Sequence, residues 1–148
     1  MREYKVVENG IEYDVVEWDD GTKEWYKNRE LHRENDLPAI EYSNGDKEWY
    51  LNNKRHREND FPSIEWDDGT KLWCLNGKLH RENDLPAVEC SNGYKEWYIN
   101  GKLHRINGPA IMKKQKNGKY WCRYYLDVKR YDKIEWEILR KDYINEKI

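Results

Sequence analysis

Four histidines recur every 24 residues, at His32, His56, His80 and His104, and an arginine follows each of them. Histidine is the commonest protein metal ligand and the usual general acid or base near neutral pH. The first three are also followed by a glutamate and an aspartate, which partner histidine in many metal and acid–base sites. This histidine series is therefore the first candidate for chemistry.

The spacing of the histidines argues against that chemistry. If each repeat contributes two strands, equivalent atoms of successive repeats lie about 10 Å apart, because neighbouring strands are about 4.8 Å apart. Zinc ligands each lie about 2 Å from the metal, so neighbouring histidines cannot share one ion. The same residue set also recurs in every repeat without forming one distinctive pocket. We therefore predict no metal site, no cofactor and no catalytic residue, and a protein that is not an enzyme.

Tryptophan follows the same interval as histidine. Internal repetition at this period is typical of arrays of short units, which must stack because one unit cannot bury its own apolar face. A tryptophan lies seven residues before each histidine. We predict that the four histidines form the structural repeat core together with Trp25, Trp49, Trp73, Trp97 and Trp121.

Composition narrows the class of protein. Only 37% of the residues are hydrophobic and 38% are charged, but 8 Trp and 12 Tyr supply large side chains for a core. The net charge is −2, with both signs interspersed, and carboxylates lie in each of the first three linkers, so we expect no nucleic acid partner. Three cysteines favour a reducing compartment. With no signal-like or membrane-spanning run, the sequence predicts a soluble, cytoplasmic protein.

Residues 38–61 illustrate one repeat: a strand, a turn at Asn44-Gly45, a second strand with Trp49 and Tyr50, and a second turn at residues 52–53. Asn-Gly between alternating segments is a strong signal for a two-residue type I′ hairpin. At the first turn a two-residue loop would set Ile40 across from Trp49, and we prefer it to a three-residue loop with a glycine bulge, which would pair Glu41 with Lys47. The second turn would place His56 across from Trp49, leaving Tyr50 on the opposite face.

The ends of the chain depart from the repeat. We predict one repeat domain over residues 1–148, with an opening hairpin at 1–15, repeats over 16–125 and a C-terminal cap at 126–148. In the cap, alternation over 134–138 favours a strand, whereas Trp136, Leu139 and Tyr143 have helical spacing; we prefer a helix over 132–147. The predicted fold class is all-β: tandem 24-residue β-hairpin repeats stacked into one elongated twisted sheet, with a short, helical C-terminal cap.

The core of the repeat, Trp-x-x-Asn-Gly-Lys-x-His, occurs at residues 73–80 and 97–104 and resembles the MORN repeat. The Gly that follows His in that family is Arg here, and the family's Tyr-x-Gly before Trp is Lys-Glu or Lys-Leu. The segment His-Arg-Glu-Asn-Asp-Leu-Pro-Ala is similar to MORN-like proteins of large DNA viruses. The resemblance covers residues 16–125 and implies a hairpin array with a protein-binding or structural role. It transfers no catalytic residue.

We therefore predict a non-enzymatic scaffold for protein–protein interaction, with a protein partner or a second copy of the chain bound by the tyrosines Tyr26, Tyr50 and Tyr98. Cys74 and Cys122 are expected in register with them. Tyrosine favours interfaces because it brings a large rigid area and a polar tip. Two alternatives stay open: the row packs against the array itself, or the protein is a structural component of a virus particle. If the chain is viral, its location is the host cytoplasm or the virion.

Overall fold

A computed structural model describes residues 1–145 and shows an all-β fold with one C-terminal helix. The chain divides into two compact units, Met1–Lys78 and a second unit that begins at Leu79. In both units the strands pair in antiparallel fashion and form short hairpins in tandem. The predicted fold class, tandem β-hairpins followed by a helical cap, is confirmed.

The first unit consists of short strands joined by tight turns. Its main sheet has the strand order β1-β2-β3-β5-β6-β9-β10, and β4 pairs with β3 beside it. The strands β7 and β8 form a separate two-stranded ribbon. The strands are β1 Arg2–Glu8, β2 Ile11–Glu17, β3 Lys23–Lys27, β4 Glu30–Leu31, β5 Ile40–Glu41, β6 Lys47–Glu48, β7 Tyr50–Leu51, β8 Lys54–Arg55, β9 Ile64–Glu65, β10 Lys71–Leu72 and β11 Cys74–Leu75.

The second unit repeats this plan and ends in the helix. Its main sheet has the order β13-β14-β17-β18-β19, and β15 pairs with β16 as a separate ribbon. The strand β12, Lys78–Leu79, lies at the boundary between the units. The remaining elements are β13 Val88–Glu89, β14 Tyr94–Glu96, β15 Tyr98–Ile99, β16 Lys102–Leu103, β17 Ile111–Lys114, β18 Tyr120–Leu126, β19 Lys129–Tyr131 and α1 Lys133–Asn145.

The first turn of each repeat differs from the prediction. Ile40 pairs with Glu48 and Glu41 with Lys47, so the loop has three residues and the predicted two-residue register is wrong. Gly45 alone has a positive φ, 99°, which fits a type I turn closed by a glycine bulge. This register places opposite charges across the hairpin at Glu41 and Lys47, whereas the two-residue loop would have opposed two glutamates.

The second turn follows the prediction. Asn52 and Asn53 have φ values of 50° and 59°, and Asn76 with Gly77 has 51° and 81°, the left-handed pairs that a type I′ turn requires. The backbone N–H of His56 donates to the carbonyl of Trp49 at 3.0 Å. The prediction that His56 lies across from Trp49 is therefore confirmed.

The linkers between repeats cover one face of the strands, which we call the linker face. The indole N–H of Trp49 donates to the carbonyl of Asp36, 13 residues earlier, at 3.0 Å, and Trp73 and Trp97 repeat this bond with their own linkers. Asn35 and Asp36 reach this position through left-handed backbone, with φ near 60°. Trp25, Trp49, Trp73 and Trp97 are all buried here, with 6 or 7% of their surface exposed.

The last hairpin breaks the 24-residue interval. Ile111 pairs with Arg123, whereas Val88, at the same place in the preceding hairpin, pairs with Glu96, eight residues along the chain. Compared with the preceding repeat, the linker before Ile111 is one residue shorter and the hairpin is four residues longer. Tyr124 therefore takes the position in the last hairpin that Trp97 occupies in the preceding one. Trp121 lies further out on β18 and is 38% exposed. Its assignment to the repeat core is wrong.

The helix α1 caps the second unit. It begins after Asp132, whose carboxylate accepts from the backbone N–H of Glu135 while Glu135 accepts from the N–H of Asp132, a capping box. Trp136 is buried, stacks on Tyr124 at 4.9 Å between ring centroids and donates its indole N–H to the carbonyl of Arg105. The predicted helix is confirmed over these residues; predicted positions 146 and 147 lie outside the described part.

Candidate interaction surface

The face opposite the linker face, here called the open face, carries the predicted tyrosines. Tyr26, Tyr50 and Tyr98 each begin the second hairpin of their repeat and are half-buried. The hydroxyl of Tyr26 donates to Glu24 at 2.7 Å and that of Tyr50 to Glu48 at 2.8 Å. The hydroxyls of Tyr26 and Tyr50 therefore each bond to a glutamate two residues earlier on the same face, which fixes the ring position.

Glu48 is the polar centre of this face. It is only 6% exposed, yet its carboxylate accepts from the hydroxyls of Tyr42 and Tyr50, at 3.2 and 2.8 Å, and from the Arg55 guanidinium at 2.9 Å. A buried carboxylate is costly unless its oxygens are paired, and these three donors pair both of them. The arrangement holds Tyr42 and Tyr50 in one orientation, so the surface is rigid.

The environment of the tyrosines raises the pKa of their hydroxyls. Burial, followed by the neighbouring glutamate, raises the pKa of Tyr26 to about 12, and burial with Glu96 raises that of Tyr98 to about 12. Both effects disfavour the phenolate, because it would be poorly solvated and close to a carboxylate.

A spectrophotometric titration tests this arrangement. We expect Tyr26 and Tyr98 to stay protonated in the folded protein until pH approaches about 12. Because the folded pKa exceeds the unfolded value, their contribution to stability is present below the ordinary tyrosine pKa and is lost as the pH rises through about 12. Glu24→Gln should lower the pKa of Tyr26 and leave that of Tyr98 unchanged. A single transition of all tyrosines near the ordinary pKa would contradict the geometry.

Of the two cysteines expected in register with the tyrosines, Cys74 takes that position and Cys122 does not. Cys74 follows Trp73 as Tyr50 follows Trp49, and it is buried. Cys122 lies elsewhere, because the longer last hairpin gives the equivalent position to Tyr125, whose carbonyl accepts from Arg105 as that of Tyr98 does from Arg81. The prediction that Cys122 lies in register with the tyrosines is wrong for the same reason as that for Trp121.

A second set of aromatic residues on the open face was not predicted. Trp18, Tyr42 and Trp66 begin the first turns of the first unit, where each backbone N–H donates across the loop, and they are 43, 37 and 43% exposed. We call these three residues the first-turn row. Their 24-residue interval is visible in the sequence, but the sequence does not show which aromatic residues are exposed and which are buried. In the second unit the same position is occupied by Cys90 and Gln115.

The histidines connect neighbouring repeats. Nδ1 of His56 accepts from the backbone N–H of Asn76 at 3.1 Å, and Nε2 lies 2.7 Å from Glu58. His32 and His80 make the same pair of contacts with their own neighbours. Both ring nitrogens are therefore used by the fold. Residues 1–145 contain no group of three or more side chains that could hold a metal ion.

The arginine after each histidine binds the linker to the strands. Arg57 stacks on the Trp49 ring at 3.8 Å, donates to both carboxylate oxygens of Asp36 at 2.6 and 2.9 Å, and reaches Glu65 and the carbonyl of Pro62 at 3.0 Å. Arg33 and Arg105 stack on Trp25 and Trp97 at the same distance. The repeating charged residues therefore have a structural role: they hold the linkers against the linker face.

Comparison of the chain with protein-family models, curated proteins and solved structures finds no match. Within the described residues, no helix is long and apolar enough to cross a membrane. The features of this protein that bear on its function are therefore the two faces of its strands.

Proposed function

We propose that this protein is a non-enzymatic repeat scaffold of MORN-like type that binds a protein partner through its open face. The observation that carries the proposal is the rigid aromatic surface of that face, where Tyr26 and Tyr50 are held by Glu24 and Glu48. The histidines and their neighbouring arginines are already used to fasten linkers and turns, so the open face is the candidate for a partner.

The physical character of this face suits binding. Aromatic residues supply most of the energy at protein interfaces, because they bury a large area with few rotatable bonds. A ring already held in place by a hydrogen bond loses little further conformational entropy when a partner binds. A repeated arrangement spreads such anchors over several turns, as scaffolds of stacked repeats do.

The setting of this function is the cytoplasm, because the odd number of cysteines favours a reducing compartment. The linker variant His-Arg-Glu-Asn-Asp favours a viral origin. The partner would then be a host protein or a neighbouring protein of the virus particle.

Substitution of the tyrosine row tests the proposal. We expect the triple variant Tyr26→Ser, Tyr50→Ser, Tyr98→Ser to release partners that the unmodified protein captures from extracts of the cells that express it, because each anchor contributes about 2 kcal/mol or more. His80→Ala is the matched control, because this ring contacts Asn100 and Glu82 within the fold. The His80→Ala variant should retain the captured partners. Circular dichroism checks that both variants are folded. Capture that survives the triple substitution would exclude this surface.

A further inference from the structure

The first-turn row presents three exposed aromatic rings at a regular interval. Trp18, Tyr42 and Trp66 occupy the same place in three consecutive hairpins, and each lies two strand spacings from the next. Neighbouring strands are about 4.8 Å apart, so the rings recur about every 9.6 Å across the sheet. A ligand that contacts all three must present the same group at that interval.

The first-turn loops are acidic, although the N-terminal ammonium of Met1 pairs with Asp19 and Arg55 pairs with Glu48 near Tyr42. The three first-turn loops, residues 18–22, 42–46 and 66–70, contain five aspartates and no lysine or arginine. The lysines that follow the loops pair across the hairpins with glutamates, as Lys23 does with Glu17, and lie on the linker face with Trp25. The field at the rings is therefore negative, which disfavours nucleic acid and anionic lipid and favours a cationic partner.

The polyproline II helix matches both properties. It has three residues per turn and rises about 3.1 Å per residue, so every third side chain points the same way about every 9.3 Å. An arginine at each third position would meet one ring per turn. There it would gain a cation–π contact with the ring and an ion pair with the neighbouring aspartate.

We propose that the first-turn row binds a basic, proline-rich segment in the polyproline II conformation, with arginine or lysine at every third residue. This inference names the partner class for the open face and so rests on the function proposed above. Trp18 and Trp66 stack on the cationic side chains, and two exposed carboxylates pair with them: that of Asp67 and that of Asp19, which also contacts the N-terminal ammonium of Met1. Prolines fill the spaces between rings without loss of chain entropy, because the free segment already has the bound conformation.

The test uses the full chain and a labelled synthetic peptide of repeated Pro-Pro-Arg triplets, long enough to span three rings. We expect saturable binding by fluorescence anisotropy that weakens as salt is added. Two control peptides separate the causes: Pro-Pro-Glu repeats reverse the charge, and Gly-Ser-Arg repeats keep the charge without the polyproline II preference. Both should bind about tenfold or more weakly. Equal binding by either control would overturn the proposal.

Variants of the protein locate the site. Trp18→Ser with Trp66→Ser should weaken peptide binding by about tenfold or more, whereas Phe61→Ser, an exposed aromatic in a linker, should leave it unchanged. Asp19→Asn with Asp67→Asn is a milder second variant that should weaken binding and reduce its salt dependence. Equal effects of the Phe61 and Trp variants would overturn the assignment.

The two proposals fail separately. If the peptide does not bind, but the triple tyrosine variant still releases captured partners, the polyproline II inference is wrong and the scaffold function stands. If the peptide binds through the first-turn row but the triple tyrosine variant still captures its partners, the assignment of the tyrosines as a binding surface is wrong.

Discussion

Replacing Trp49 by alanine is expected to lower the free energy of unfolding by about 3 to 5 kcal/mol, the range for a large buried aromatic. The side chain is 6% exposed, and its indole N–H bonds to the linker carbonyl of Asp36. Arg57 also stacks on its ring. The substitution therefore leaves a cavity and releases the linker. Urea denaturation followed by circular dichroism measures the loss.

Two controls in the same unit make this prediction specific. Trp66→Ala removes an indole that is 43% exposed, so we expect a much smaller loss than at Trp49. Tyr50→Ala should also cost less, because its ring is only half-buried on the open face. If either control destabilises the protein as much as Trp49→Ala, the assignment of the linker face as the core is wrong.

Arg57→Ala should destabilise the protein by about 2 to 3 kcal/mol, the scale for hydrogen bonds to charged groups. The substitution removes two bonds to Asp36, one to Glu65 and one to the carbonyl of Pro62, together with the stack on Trp49. The partner carboxylates keep access to water, so the loss is smaller than for a fully buried pair.

Arg57→Lys separates the charge of this residue from its geometry. Lysine keeps the positive charge but cannot bridge both oxygens of Asp36 and lie flat on the Trp49 ring, so we expect it to recover less than half of the loss. Lys54→Ala, which removes an exposed cation in β8, is the matched control and should have little effect. Full recovery by lysine would show that charge alone fastens the linker.

The pH dependence of stability reports the same network. Hydrogen bonds from Arg57 lower the pKa of the Asp36 carboxyl below its ordinary value. A lowered folded-state pKa means that the contribution of this pair is present above the ordinary aspartate pKa and is lost as the pH falls through the folded value. Arg57→Ala should therefore remove part of the decline in stability under acid conditions.

The two faces of the strands have different roles. The linker face uses Trp49, His56 and Arg57 in contacts that hold successive repeats and linkers together. The open face uses Glu48 to position Tyr42 and Tyr50. Because the linker contacts do not involve the side chains of Tyr42 and Tyr50, substitution of these tyrosines can change binding while the fold persists. Buried residues of the same face, such as Ile40, belong to the core.

Two errors in the sequence prediction have physical causes. Asn44-Gly45 fits both a two-residue turn and a three-residue loop, and the choice depends on cross-strand partners: Glu41 meets Lys47, and Glu48 finds three donors. Trp121 keeps the 24-residue interval, but a shorter linker and a longer hairpin move the equivalent position to Tyr124. Equal spacing along the chain corresponds to equal position only when no residue is inserted or lost.

The repeated hairpins and the type I′ second turns follow from the sequence alone, because each depends on neighbouring residues such as Asn76-Gly77. The cap had the spacing of both a strand and a helix, and the structure shows the helix, which begins at the capping pair Asp132 and Glu135. The face that the linkers cover depends on the tertiary structure. That choice depends on contacts between residues far apart in the chain, such as Trp49 and Arg57 with Asp36. It buries Trp25, Trp49, Trp73 and Trp97 and leaves Trp18 and Trp66 exposed, a difference that residue type cannot reveal because both sets contain tryptophan.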